Sequence, residues 1–182
     1  ISLSFLLSSC VDGEVLSFDS DSRESITIAY AEPLSTFSPL SYEAKNRKYL
    51  ANIYEPLVSF DSSFNMETAL AVSWGRLDDS TWDFRLREDV FFHDGSAFDA
   101  DDVVYSLRLA QDQEGSELGA LLGTIEGVEK TGTHRLSIKT DGPDPLLLNK
   151  LTYLYIIPDG YEDFNVPVGT GPYRISSYSD NI

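Results

Sequence analysis

One stretch decides the fold, and it reads NIYEPLVSFD at residues 52–61 and ALAVSWGRLDDSTWDFRLREDVFFHDGSAFDADDVVYSLRLA at residues 69–110. Within it, the apolar residues Trp82, Phe84 and Leu86 alternate with charged residues. Successive side chains of a strand point to opposite faces of the sheet. The alternation therefore predicts a strand with one face on a core and the other face in water.

A capped helix is expected after this strand. Asp94-Gly95 is a turn signal, and Asp99 is placed to cap a helix that runs from Ala100 to about Ala110. The acidic residues in the first turn suit the positive end of the helix dipole. The residues that we expect to face the core are Val103, Val104 and Leu107.

Strands and helices are also predicted on both sides of this stretch. On the N-terminal side, the patterns predict a strand over Ser25–Tyr30, a loop over Ala31–Ser41, a helix over Tyr42–Tyr54 and a strand over Leu57–Phe60. On the C-terminal side, they predict a hairpin of Ile125–Glu129 with Arg135–Lys139, a helix over Asp144–Leu151, a loop over Pro158–Asn165 and a strand over Tyr173–Tyr178. The fold class expected from these elements is mixed α and β.

Composition limits the function. Apolar residues make up 42% of the 182 residues, which is enough for a packed core. The 13 basic and 30 acidic residues give a net charge of −17, which repels phosphate backbones, so we expect no nucleic-acid partner.

The N-terminal residues predict a lipid anchor. Leu7-Ser8-Ser9-Cys10 follows an apolar run and resembles a bacterial lipobox, and the acidic, serine-rich residues Val11–Ser25 are typical of a solvated tether. No basic residues precede the apolar run, and Ile182 comes just after the last predicted strand, so we expect the sequence to be part of a longer one. The alternative is that residues 1–10 form a short buried element with an ordinary core cysteine.

Groups suited to catalysis or metal binding have simpler interpretations. The adjacent pair His93-Asp94 is a possible base or ligand, but we favour a structural role at a corner between a strand and a turn; His134 is expected on the surface. No second histidine or acid stands four residues after either histidine, so no metal site is predicted. No G-x-S-x-G motif accompanies them.

Two further motifs have both a chemical and a structural interpretation. Asp99, Asp101 and Asp102 are a possible carboxylate pair for glycoside hydrolysis, although capping of a helix explains them without further assumptions. Gly169-Thr170-Gly171-Pro172 superficially resembles a phosphate-binding loop. Its proline lacks an N–H, so we favour a tight chain reversal between subdomains.

Several motifs resemble those of one known family. They are Tyr54-Glu55-Pro56-Leu57-Val58, Trp82-x-Phe84-x-Leu86-Arg87, Phe92-His93-Asp94-Gly95 and Gly169-Thr170-Gly171-Pro172-Tyr173. In this order and spacing they closely resemble the N-terminal part of the bacterial extracellular solute-binding proteins of family 5. That family contains the peptide, dipeptide and nickel receptors of ABC importers.

The resemblance implies a mixed α/β (α+β) fold, the truncated N-terminal lobe of a two-lobed fold like that of class II periplasmic binding proteins. On that pattern, residues 1–10 are the remnant of a signal peptide with its lipobox, and residues 11–25 are a flexible acidic tether. Residues 26–40 begin the sheet of the first lobe, residues 41–165 form an inserted subdomain, and residues 166–182 return to the first sheet.

The resemblance also implies where a ligand binds. The loop after the first strand contributes ligand contacts in such receptors, which makes Glu32 and Phe37 candidates, Glu32 for an α-amino group and Phe37 for a pocket wall. The alternative is that Glu32 is solvated and Phe37 is a core residue. Tyr54 and Glu55 are weaker candidates, since both are placed to stabilise the end of a helix.

The function implied is that of the substrate-binding component of an ABC importer. The protein would capture oligopeptides, dipeptides or a similar small solute outside a bacterial membrane and deliver it to the transmembrane subunits of a permease. We expect no enzymatic activity, no cofactor and no metal, and a location outside the cytoplasm with a lipid anchor at Cys10. The alternatives are a ligand-binding sensor lipoprotein of the same fold and an extracellular hydrolase.

Overall fold

The structure, a computed structural model, describes residues 33–177. The predicted lipobox at Cys10, the acidic tether after it, the predicted strand Ser25–Tyr30 and Glu32 lie outside the described residues.

The described part contains short helices and antiparallel strands, which confirms the mixed fold class. The helices are α1 (Ala44–Leu50), α2 (Ala100–Asp112), α3 (Glu117–Leu121) and α4 (Leu147–Leu151). The strands are β1 (Val58–Phe60), β2 (Met66–Thr68), β3 (Ala71–Arg76), β4 (Thr81–Leu86), β5 (Ile125–Gly132) and β6 (Arg135–Thr140). No described helix has the length and apolar character needed to cross a membrane.

The strands form two separate sheets. A four-stranded antiparallel sheet has the order β3-β4-β6-β5, and β1 pairs with β2 in a small hairpin. The predicted hairpin of β5 with β6 is confirmed. At the sheet centre, Phe84 lies opposite Leu136, and both side chains are fully buried.

The predicted orientation of β4 is confirmed. Phe84 and Leu86 are buried, and Arg85 between them is exposed. Trp82 is only half-buried against the core, because it lies near the end of the strand. On the opposite face, Asp83 accepts two hydrogen bonds of 2.9 Å from Arg135 of the neighbouring strand.

The predicted cap of α2 is also confirmed. The Asp99 side chain accepts a hydrogen bond from the Asp101 N–H at 2.7 Å, and the Asp102 carboxylate accepts one from the Asp99 N–H at 2.7 Å. This capping box satisfies backbone donors that a helix start leaves without partners. Val103 and Leu107 are buried as predicted, but Val104 is only half-buried.

The helix predicted over Tyr42–Tyr54 is shorter, because α1 ends at Leu50. The backbone then turns, and the carbonyls of Asn52 and Ile53 accept hydrogen bonds from Tyr173 and Gly171. The strand predicted over Tyr173–Tyr178 is wrong for the described residues. Residues 173–177 form no strand and pair with neither sheet.

Two other elements differ from the prediction. Helix α4 starts at Leu147 and not at Asp144, because the Asp144 side chain accepts a hydrogen bond from the Leu146 N–H and forms a turn before the helix. Strand β2 was not predicted, because its residues are mostly exposed and show no apolar alternation.

Candidate functional site

An open cleft of about 310 Å³ lies beside α1. Its walls come from α1 and the turn after it, from β1 and from the segment that follows α4. The lining residues are Arg47, Ala51, Tyr54, Pro56, Ser59, Phe60, Thr152, Tyr153 and Tyr155. Four aromatic rings and one cation thus face one concave surface.

Arg47 is the charged residue of this cleft. Its guanidinium donates hydrogen bonds to the carbonyl oxygens of Tyr153 at 2.9 Å and Thr152 at 3.0 Å. Its central carbon lies 4.3 Å from the ring centroid of Tyr155 and 4.8 Å from that of Tyr153, within the range of cation–π contacts. These contacts hold a half-buried cation in a fixed place.

The charge of Arg47 has no acidic partner among residues 33–177. Only tyrosines interact with it electrostatically, and no carboxylate forms an ion pair with it there. Burial lowers the pKa of the guanidinium, but arginine stays protonated in proteins. The cleft therefore presents a positive charge that the described chain does not neutralise.

Two tyrosines form the inner wall of the cleft. Their rings lie 5.8 Å apart, and the Tyr54 hydroxyl donates a 3.0 Å hydrogen bond to the carbonyl oxygen of Phe37. Burial raises the pKa of both Tyr54 and Tyr155, so both remain neutral at ordinary pH. This wall is apolar and uncharged.

A buried asparagine holds the loop before α1 in place. Asn46 is fully buried, and its amide donates hydrogen bonds to the Ser35 hydroxyl at 3.0 Å and the Ser41 hydroxyl at 2.8 Å. Its carbonyl oxygen accepts the Ser35 N–H at 3.0 Å. One side chain of α1 therefore connects both ends of residues 35–41.

The candidate residues predicted from the sequence lie differently. Glu32 is outside the described residues. Phe37 is half-buried and packs against the apolar cluster that contains Tyr54 and Tyr155, but it is not one of the residues that line the cleft. The role of Phe37 as a pocket wall stays a prediction.

Arg47 was missed in the sequence, although a signal is present. It lies three residues before the fully buried Leu50, so the two residues share one face of the helix. A cation on the apolar face of a helix needs a specific environment, because a buried charge is unfavourable without partners.

The predicted structural role of His93 is confirmed. Its Nε2 lies 2.8 Å from the Gly171 carbonyl oxygen, and its Nδ1 accepts the Gly169 N–H at 3.4 Å. The Gly171 N–H donates a hydrogen bond to the Ile53 carbonyl oxygen at 2.8 Å. The N–H groups of both glycines therefore donate within the protein, which argues against a phosphate-binding loop.

The other candidate groups also have structural partners. His134, predicted on the surface, is half-buried, and its Nε2 lies 3.1 Å from the Phe98 carbonyl oxygen. Asp99 and Asp102 are used as helix caps. Across residues 33–177, no three His, Cys, Asp or Glu side chains are grouped as ligands for a metal ion.

Residues 65–181 match the profile of the bacterial extracellular solute-binding proteins, family 5 middle. The chain belongs to this family. The family membership agrees with the resemblance of the sequence motifs.

Proteins to which this chain is similar differ in what their names describe. The chain is 27% identical to the nickel-binding periplasmic protein of Escherichia coli K12, over 82% of this chain and 31% of that protein. It is also 27% identical to the HTH-type transcriptional regulator SgrR of Escherichia coli O6:K15:H31, over 87% of this chain and 29% of that protein. It thus spans less than a third of the length of these curated relatives.

The fold is similar to that of solved family 5 receptors. The oligopeptide-binding protein AppA of Bacillus subtilis, solved in complex with a nonapeptide, matches with a TM-score of 0.72 and 27% sequence identity. The match covers 82% of this chain and 33% of AppA. This chain therefore has the architecture of one part of such a receptor.

Proposed function

We propose that the protein is the substrate-binding component of an ABC importer, which captures a peptide or a similar small solute outside the cytoplasm and delivers it to a permease. The observation that carries this proposal is the family 5 match over residues 65–181. The name of AppA, whose fold is similar, supports a peptide as one class of solute. Capture and release change no bond in the solute, so the proposal excludes an enzymatic role.

The organisation of the protein is part of the proposal. Residues 1–10 would carry the lipobox, residues 11–25 a tether, residues 26–40 and 166–182 the first sheet, and residues 41–165 an inserted subdomain. The acidic residues after Cys10 support a solvated tether. The loop with Glu32 and Phe37 would contribute to ligand contacts, because Phe37 bonds through its carbonyl to Tyr54 of the cleft.

A sensor is the second candidate function. The similarity to the transcriptional regulator SgrR supports it, because that name describes regulation and not import. A sensor and an importer component would both bind a solute, so binding alone does not separate them. Uptake of the solute by cells that lack the protein separates them, since loss of a sensor leaves the permease able to work when it is expressed independently.

The test of receptor function is calorimetry of the full-length protein against a library of short peptides, with mass spectrometry of the ligand afterwards. We expect binding in the micromolar range or tighter, about −8 kcal/mol or below, and recovery of the peptide intact. Recovery of cleaved peptide would make the protein a hydrolase, and failure to bind any member of the library would count against a peptide receptor.

The lipid anchor has its own test. We expect Cys10→Ser to release the full-length protein from the membrane fraction, because only the thiol accepts the acyl chains and one buried CH₂ contributes about 0.8 kcal/mol to anchoring. Ser9→Ala is the matched control and should leave the protein with the membranes. Membrane retention of Cys10→Ser would contradict the proposal.

A further inference from the structure

We propose that Arg47 binds a carboxylate group of the solute, so that the cleft beside α1 selects anionic solutes such as peptides with a free C-terminus or other small carboxylic acids. That the ligand is a transported solute rests on the proposed function. The carboxylate site itself stands on the geometry of the cleft, and the two parts are tested separately.

The charge of Arg47 favours an anionic ligand. Arg47 is half-buried and its guanidinium has no acidic partner among residues 33–177. Removal of a cation from water costs free energy, and a neighbouring anion offsets part of this cost. The cleft thus holds a positive charge in a place where a ligand anion would gain most from it.

The guanidinium of Arg47 has more N–H donors than its protein partners use. Arginine presents five N–H groups in a rigid, planar arrangement that matches a carboxylate. Two of them are used, one on Nη1 for Tyr153 and one on Nη2 for Thr152. These two bonds fix the orientation of the guanidinium and leave other donors for a ligand.

The walls of the cleft around Arg47 are mostly aromatic and apolar. Tyr153, Tyr155, Phe60 and Pro56 line the same cleft, which is open and has a volume of about 310 Å³. Such walls suit the carbon skeleton of a small solute, while one charged residue fixes its orientation. The chemistry is therefore that of a molecule with an anionic end and an apolar body.

The net charge of the protein sets Arg47 apart from its surroundings. A net charge of −17 repels small anions from most of the surface. An anion that binds saturably must therefore find a local cation that outweighs this field. Arg47 differs in this respect from Arg85 and Arg135, which pair with Glu88 and Asp83.

A purely structural role for Arg47 is the competing explanation. Thr152 is the C-cap of α4, and the guanidinium could serve only to satisfy the carbonyls of Thr152 and Tyr153. In that case the wild-type side chain would not respond to a small carboxylate. The response of the unmodified chain therefore separates the two roles without any variant.

The test is a titration of the 182-residue chain with acetate, followed by NMR of the Arg47 Nε–H group and the amides of Thr152 and Tyr153. We expect saturable shifts in the millimolar range, as suits a single charged contact, and none with acetamide, which has the same shape and no charge. Arg47→Gln should abolish the shifts, whereas the exposed Arg108→Gln should leave them unchanged.

Arg47→Lys guards against loss of folding in the glutamine variant. It keeps the charge and loses the planar pair of donors, so acetate should still bind, but at least severalfold more weakly. Absence of saturable acetate shifts at Arg47 in the wild-type chain, or equal shifts with acetamide, would overturn the carboxylate site.

A second arm connects the site to transport. In the full-length protein, a peptide with a free C-terminus should bind at least tenfold more tightly than its C-terminal amide, and Arg47→Gln should remove this difference. Equal affinities would overturn the assignment of the solute carboxylate to Arg47. Acetate binding in a protein that binds no peptide would instead leave the anion site standing and remove the proposed peptide receptor function.

Discussion

His93 and Gly171 are joined by a contact of 2.8 Å between the imidazole Nε2 and the glycine carbonyl oxygen, across 78 residues of sequence. Since Nδ1 of the same ring accepts the Gly169 N–H, Nε2 carries the proton and donates it to Gly171. The backbone N–H of His93 also donates to the Gly169 carbonyl at 3.0 Å. One residue thus attaches the buried glycine segment to the corner after β4.

This relationship predicts the effect of removing the imidazole. His93→Ala should lower the free energy of unfolding by about 1–3 kcal/mol, because it leaves the buried carbonyl of Gly171 without its donor. Urea unfolding followed by tryptophan fluorescence measures the change. His93→Gln, which retains a donor, is the control and should lose less. An alanine variant as stable as the wild type would contradict the structural role of this side chain.

A second prediction concerns the close approach of Gly169 to the turn after α1. A Cβ at this position would lie 2.1 Å from the Ile53 carbonyl oxygen, which is backbone and has little freedom to move. Gly169→Ala should therefore destabilise the fold by about 3 kcal/mol or more. Gly127→Ala is the control, since a Cβ there meets no heavy atom within 4 Å.

The Gly127 variant should stay within about 0.5 kcal/mol of the wild type in the same thermal or urea unfolding experiment. Similar stability of the Gly169 and Gly127 variants would mean that the segment does not pack against Ile53 as described.

Local patterns in the sequence were enough to predict most of the central elements. The alternation around Phe84 identified the buried face of β4, and Asp99 identified the start of α2, because each signal depends on residues close together in the chain. The end of α1 was predicted wrongly, because it depends on residues that are distant in the sequence. Its carbonyls at Asn52 and Ile53 bond to residues more than a hundred positions later.

The cleft shows the same limit. Arg47 bonds to the Tyr153 carbonyl across 106 residues, and no periodicity in either segment indicates that they meet. The sequence does show a cation on an apolar helix face, but it does not show which groups surround it. A candidate site made of distant segments was therefore found in the structure, whereas the family was recognisable from contiguous motifs.

The core position of Phe84 leads to a third prediction. Its side chain is fully buried opposite Leu136, so Phe84→Ala should cost about 3–5 kcal/mol of unfolding free energy. Trp82→Ala should cost less, because Trp82 is half-buried. The exposed neighbour Arg85→Ala is the control and should stay within about 0.5 kcal/mol. A larger loss for Arg85 than for Phe84 in urea unfolding would mean that the strand faces are reversed.

The last prediction concerns the buried carboxyl group of Asp102. Asp102 is 6% exposed, and burial raises its pKa from 3.8 to about 6, although its oxygens accept the N–H groups of Asp99 and Asp159. The nearby carboxylates of Asp99 and Asp159 raise it further. Folding therefore makes this group bind its proton more tightly.

The sign of the pH dependence follows from this shift. Between about pH 4 and pH 6 the folded chain binds more protons at Asp102 than the unfolded chain does, so stability falls as the pH rises through this range. The fall amounts to about 3 kcal/mol, since one pKa unit corresponds to about 1.4 kcal/mol. Above about pH 6 the group is ionised in both states, and its contribution no longer changes.

Asp102→Asn isolates this contribution, because an amide does not titrate. Other carboxyl groups, such as Asp94 and Asp144, have lowered pKa values and change stability in the opposite direction, but they do so in both proteins. The measured quantity is therefore the difference in unfolding free energy between wild type and variant at several pH values. We expect the advantage of the wild type to shrink steadily from about pH 4 to pH 6 and then to stay constant. The variant also loses one hydrogen-bond acceptor, which adds an offset that does not vary with pH. A difference that is independent of pH across this range would show that Asp102 is not perturbed by its burial.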